Sequence, residues 1–245
     1  MKRLLLVFLF TIILLLPTTV HAQTIDPINN DILPDQVDLQ KAAGVDVNSV
    51  SETPNYYPYI VSNFESKISI NQNTSLDITE KIEIHFNEAR HGIFRIIPVI
   101  YSANGQTIRA GLDVKSVTNA EGTPFKYEVS WLNQSRQIKI GDPDITVTGD
   151  HTYLINYKIT KVLQRFNDHD ELYWNVTGSE WDTVIKKTSV NVISDFAQIN
   201  KYICFSGLIG SKENNCSFKS SKDKREIGFI SQQSLGNQKD MTIAI

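Results

Sequence analysis

The densest group of side chains able to do chemistry is Asp168-His169-Asp170-Glu171. Carboxylates and imidazole are the usual ligands of metals and the usual acids and bases of hydrolysis. Neighbours on an extended segment point to opposite sides, however, so at most two of the four converge on one site. No second acid-rich loop lies nearby in sequence to complete a cage. The group therefore reads first as a solvated turn, with a metal-dependent or acid/base envelope hydrolase as the alternative. No residue is assigned as catalytic or metal-ligating, and no cofactor is implied.

A second cluster is aromatic. Tyr173, Asn175 and Trp181 surround Thr177-Gly178, and aromatics on the rim of a β fold can stack on sugars while Asn orients a ligand. These three are weak binding candidates. Trp174 between them reads as a core plug, and Trp181 is open between core and rim. Arg95 sits in an apolar strand, where an unpaired guanidinium is costly to bury, and Glu80 falls on the apolar face of another strand and needs a partner or an edge. No Gly-x-Ser-x-Gly elbow, phosphate loop or His-Glu-x-x-His segment occurs. Cys204 and Cys216 are the only cysteines. In an oxidising compartment their spacing reads as a disulfide closing a polar loop.

The elements that must position these residues follow from hydropathy. Lys2 and Arg3 precede an apolar run from Leu4 to Leu16, then Pro17 and Val20-His21-Ala22. That order is the anatomy of a secretory signal peptide, with cleavage before Gln23. As a helix the run covers about 20 Å, short of a ~30 Å hydrocarbon core. The protein is expected to be exported. Without Lys2 and Arg3 the remaining 223 residues carry 22 basic and 27 acidic side chains, a net charge of −5 with no basic run. Nucleic acid and anionic lipid are thereby both disfavoured as partners.

Residues 23–55 hold Asp26, Asp31, Asp35, Asp38, Asp46 and Glu52 against Lys41 alone, without helical or strand period, and read as an acidic linker. From Tyr56 onward the pattern alternates. Two period-2 runs, Phe64–Ile70 and Leu76–Phe86, flank an Asn-rich turn and form a hairpin. Pro98 would remove a ladder donor and marks an edge or bulge. Turn signals recur every 8–15 residues to the end of the chain. The expected fold is all-β, an antiparallel sandwich of immunoglobulin-like or related type over residues 56–245, with minor helix and an N-terminal signal helix. Met241–Ile245 stops inside an alternating run, which is read as a chain cut before a membrane segment.

Three segments together carry a family resemblance. His91-Gly92-Ile93-Phe94-Arg95-Ile96-Ile97-Pro98, Gly149-Asp150-His151-Thr152-Tyr153-Leu154-Ile155-Asn156-Tyr157 and Asp170-Glu171-Leu172-Tyr173-Trp174-Asn175-Val176-Thr177-Gly178 followed by Trp181 resemble the family called domain of unknown function 2207. The resemblance runs from about Tyr59 to the C-terminus. It implies an extracytoplasmic N-terminal domain tethered by later transmembrane helices, at the outer face of the cell membrane, or secreted if the chain ends at Ile245. The pairing of its segments suggests an ion pair of Arg95 with Asp170 or Glu171, structural in role. The leading expectation is a non-catalytic module that binds, senses or spaces at the cell envelope. Its partner would be the membrane, an envelope protein or a glycan.

Overall fold

A computed structural model describes residues 56–103 and 105–245. The signal peptide and acidic linker expected over residues 1–55 lie outside the described residues. Sixteen strands follow in chain order. The first two, β1 (Tyr59–Ile70) and β2 (Leu76–Arg90), are the expected hairpin, closed by a turn in which Asn71 and Asn73 hydrogen-bond the Ser75 side chain. Then come β3 (Gly92–Pro98), β4 (Ile100–Ala103), β5 (Gln106–Arg109), β6 (Gly111–Thr118), β7 (Tyr127–Leu132), β8 (Ser135–Gly141) and β9 (Val147–Thr160). The second half holds β10 (Leu163–Arg165), β11 (Asp170–Asn175), β12 (Thr188–Ser194), β13 (Ile203–Leu208), β14 (Cys216–Ser220), β15 (Glu226–Ser231) and β16 (Lys239–Ala244).

These strands form a seven-stranded sheet, β14-β15-β12-β1-β2-β9-β6, with smaller sheets β10-β11-β16-β13, β3-β8-β7 and β4-β5. The fold is all-β, as its alternating sequence dictates. Two expectations need correction. The described residues contain no helix, because no stretch keeps a 3.6-residue period. The large sheet is not purely antiparallel: β1 pairs β12 in parallel, Phe64 opposite Thr188 through Ile70 opposite Ser194. A parallel pair joins segments far apart in sequence and leaves no local signal. Pro98 ends β3, an edge strand, as its missing N–H requires.

Register builds the core. One face of the large sheet presents the row Thr188, Phe64, Ile82 and Tyr153, then Val190, Ser66, Glu80 and Ile155, then Val192, Ile68, Ile78 and Tyr157. All twelve are buried. Eleven are apolar or neutral; the middle row alone carries a charge, Glu80. The opposite face shows Lys67, Thr79, Lys81, Asn156 and Lys158, several of them in cross-strand or neighbouring ion pairs such as Lys158–Asp77 at 3.1 Å.

A buried ion pair as candidate functional site

Glu80 and Arg95 meet in the interior. Arg95 Nε donates to Glu80 Oε2 and Nη2 donates to Oε1, both at 2.7 Å, a bidentate pair on side chains that are essentially inaccessible. Tyr157 Oη donates to the same Oε1 at 2.5 Å. The remaining guanidinium donors go to main-chain carbonyls: Nη1 to Ile96 O at 2.7 Å and Thr177 O at 2.8 Å, Nη2 to Val176 O at 2.9 Å. All five N–H donors of the fork are therefore satisfied. The ring of Phe64 lies under the guanidinium, 5.3 Å from centroid to Cζ.

The partners come from three different sheets. Glu80 and Tyr157 belong to the seven-stranded sheet, Arg95 to the three-stranded sheet, and Val176 and Thr177 follow the last residue of β11 in the four-stranded sheet. A local frame holds those two carbonyls in place. Asn175 Oδ1 accepts from Gly178 N at 2.8 Å, while Asn175 Nδ2 donates to Asp240 Oδ2 at 2.7 Å. Thr177 Oγ1 accepts from Met241 N at 3.0 Å, and Trp181 Nε1 donates to Thr177 O at 2.9 Å.

The electrostatics follow from this geometry. Burial works against the charge on Arg95, but the Glu80 carboxylate and its hydrogen bonds outweigh it and hold the guanidinium protonated. Burial, then the Glu80 charge, pushes the Tyr157 phenol well above its usual value, with Arg95 opposing. Every N–H of the guanidinium and both oxygens of Glu80 are thus engaged inside the fold, away from solvent. The group's capacity is to fix three sheets relative to one another.

The ion pair expected between Arg95 and Asp170 or Glu171 is thus corrected: the carboxylate is Glu80. The two family segments do meet at Arg95, but through the backbone of Val176 and Thr177. Asp170 instead pairs with exposed Arg165 at 3.2 Å, and Glu171 sits beside it on β11, opposite Gln164. A guanidinium accepts carbonyl and carboxylate oxygens alike, and sequence does not reveal which will reach it.

The other candidates separate. Asp168 and His169 form an exposed pair at 2.8 Å, with the imidazole stacked on Phe166 at 4.8 Å. Among the described residues no three His, Cys, Asp or Glu side chains are placed to hold a metal ion. Trp174 is core. Trp181 is buried as well, its ring edge-on to Phe64 at 6.2 Å, and so is not a rim residue. Asn175 braces the turn below Arg95, and Tyr173 is half-buried, its carbonyl accepting from Tyr101 Oη at 3.1 Å. Of the trio Tyr173, Asn175 and Trp181, two are thus engaged inside the fold. Cys204 and Cys216 form the expected disulfide, Cα atoms 6.4 Å apart, across the β13–β14 connection.

No curated protein matches the chain in sequence. Its backbone is distantly similar to leukotriene A4 hydrolase from Saccharomyces cerevisiae, at 10% identity over 87% of this chain and 33% of that one, with a TM-score of 0.48. An M1 zinc metallopeptidase from Deinococcus radiodurans gives 8% identity, 76% and 42% coverage and a TM-score of 0.43. A putative protease from Parabacteroides distasonis gives 10%, 76%, 40% and 0.42. The chain spans between 33% and 42% of the length of these proteins, and likenesses this distant assign neither topology nor activity. The sequence match is of another kind: residues 60–244 fit the model of the N-terminal domain of a predicted membrane protein, DUF2207, and the chain belongs to that family.

Proposed function

We propose that residues 56–245 form a non-catalytic β-sandwich module of a membrane protein, standing outside the cytoplasm and binding a partner at the cell envelope. The observation that carries this reading is the division of polar groups across the seven-stranded sheet. Two of the charged ones, Glu80 and Arg95, close on each other and on Tyr157 inside the fold, out of reach of solvent. The solvent-facing ones line a shallow groove of about 830 Å³ over β14, β15, β12, β1 and β2, where Lys67, Thr79, Asn191, Lys219 and Glu226 are presented. A groove of this size favours binding over a plain spacer. The stacking of the large sheet's apolar face against the smaller sheets supports the sandwich description. The Cys204–Cys216 bridge supports an oxidising location, since such bonds rarely persist in cytosol.

The test uses the full-length gene product in intact cells. A membrane-impermeant amine reagent should label the domain's lysines without permeabilisation; labelling that requires permeabilisation overturns the location. Lys67→Glu with Lys219→Glu should abolish rescue of a deletion strain, whereas Asp168→Asn with His169→Ala should rescue it. The reverse pattern would make the exposed acidic turn the working site.

A further inference from the structure

Several connections gather at one end of the domain. β9 ends at Thr160, and three residues later Leu163 pairs with Leu172, whose N–H and C=O both bond Ile245. The β12–β13 and β14–β15 connections join there, Ser194 N donating to Arg225 O and Ile199 N to Lys224 O. The β7–β8 turn arrives through Gln134 O, which accepts from Val99 and Ile100. Val99 O in turn accepts from Ala110 N, the residue before Gly111, and Gly111 pairs with Thr160. The last strand of the family domain, β16, runs toward this same end, with Ala244 opposite Ile203.

Exposed aromatic rings occur elsewhere too, at Tyr56, Phe94, Tyr127 and Phe218; what sets this end apart is that cations outnumber acids on its connections, although the chain as a whole is acidic. Trp131, Phe166 and Phe196 are exposed by 59, 37 and 41%, one on each of three separate connections or their flanks. Exposed Lys161, Lys201, Lys222, Lys224 and Arg225 stand among them, against Asp168, Asp195 and Asp223. The connections at the opposite end reverse the balance, with Glu121, Asp142, Asp144, Glu180, Asp182 and Glu213 against four lysines. A rim of aromatic rings interleaved with Lys and Arg is what a headgroup layer accepts: amphipathic rings sit at the interface and cations pair with phosphates. The matched family is described as the N-terminal domain of a predicted membrane protein, and β16, the last strand of the matched region, runs toward this rim.

We propose that this end of the domain rests on the anionic phospholipid surface of its own membrane, with Trp131, Phe166 and Phe196 at headgroup depth and the basic residues around them on lipid phosphates. The inference rests on the module standing beside its membrane, and holds for either side of it. The groove across the large sheet is then left facing sideways, accessible to a partner.

The test is photo-crosslinking in the full-length membrane-embedded protein. A benzoyl-phenylalanine replaces Trp131, Phe166 or Phe196 in turn, with Ile145, an exposed residue of the opposite end, as control. Lipid adducts are expected from the first three positions and not from 145, and Lys222→Glu with Lys224→Glu and Arg225→Glu should reduce them. Adducts to protein instead of lipid, or lipid adducts from 145 alone, overturn the proposal, as does absence of any lipid adduct at the three rim positions. Impermeant labelling reports the side of the membrane separately, so the two readings fail independently.

Discussion

Arg95 lies against Glu80 in a side-on fork, both N···O distances 2.7 Å, at the place where three sheets approach one another. Such a pair adds little net stability over a well-packed apolar replacement, because two charges have been taken from water. Breaking it is another matter, since the survivor is left charged and buried.

Arg95→Leu or Glu80→Leu alone should therefore lower stability by about 3–5 kcal/mol, while the double replacement should cost less than either single. Arg95→Lys should not restore the loss, because one ammonium cannot serve a carboxylate and three carbonyls in this geometry. Denaturant midpoints of the four variants measure the coupling directly. A double variant as unstable as the sum of the singles would show that the two residues act separately.

How legible this was differs by residue. The β1–β2 hairpin was written in its alternation and its Asn turn, and the disulfide in two cysteines with no others to confuse the pairing. Glu80 and Arg95 were each visible as charges in apolar strands that needed partners. What could not be read was that they belong to each other, since fifteen residues and a change of sheet separate them. The carboxylates offered by the family segments, Asp170 and Glu171, stand in the segment that does reach Arg95. Yet a strand turns alternate residues to opposite sides, and that segment continues past its acids before its carbonyls arrive. The parallel β1·β12 pairing was hidden for the same reason: non-local contacts are set by packing of whole faces.

Gly178 gives a sharper probe of that contact. Its φ is +70°, and a Cβ there would stand 3.0 Å from Arg95 Nη1 and 3.0 Å from Ile96 O. Gly122, at φ +85°, has nothing within 4 Å of the same position. Ala at either site pays the left-handed cost of about 1–2 kcal/mol. Gly178→Ala should cost measurably more than Gly122→Ala in thermal or denaturant unfolding, the excess being displacement of the guanidinium. Equal losses would mean the fork has room to shift.

Alkaline pH should loosen the fold through its buried tyrosines. Burial raises Tyr153 from 10.0 to about 12, and burial with the Glu80 charge raises Tyr157 well above its usual value. An unfolded tyrosine loses its proton near pH 10 while the folded one keeps it. The contribution is thus complete below pH 10 and falls as pH rises through 12. Tyr153→Phe with Tyr157→Phe should flatten the fall in unfolding free energy across that window, with phenolate absorbance as the companion readout. At neutral pH Tyr157→Phe should itself cost about 1–3 kcal/mol, since a buried Glu80 oxygen loses a donor.

The disulfide tests how far the β13–β14 connection depends on covalent closure. Cys204 and Cys216 are 12 residues apart, and a loop of that size constrains the unfolded chain by about 3 kcal/mol in the entropic account. The bridge ties β13 of the four-stranded sheet to β14 at the edge of the large sheet. These two strands otherwise touch sparsely, through an isolated bridge between Ser206 and Asn214 on the connection and a hydrogen bond from Ser206 N to Glu213 O. Cys204→Ser with Cys216→Ser should therefore lower the unfolding midpoint, and reductant should lower the native chain to the same value without affecting the variant further. The lost protection should concentrate in the amides of β14 and the 209–215 connection, leaving β1, β2 and β9 as slow to exchange as before. Uniform loss across the large sheet would instead mean that its edge, and not the Glu80–Arg95 fork at its centre, governs how the sheets hold together.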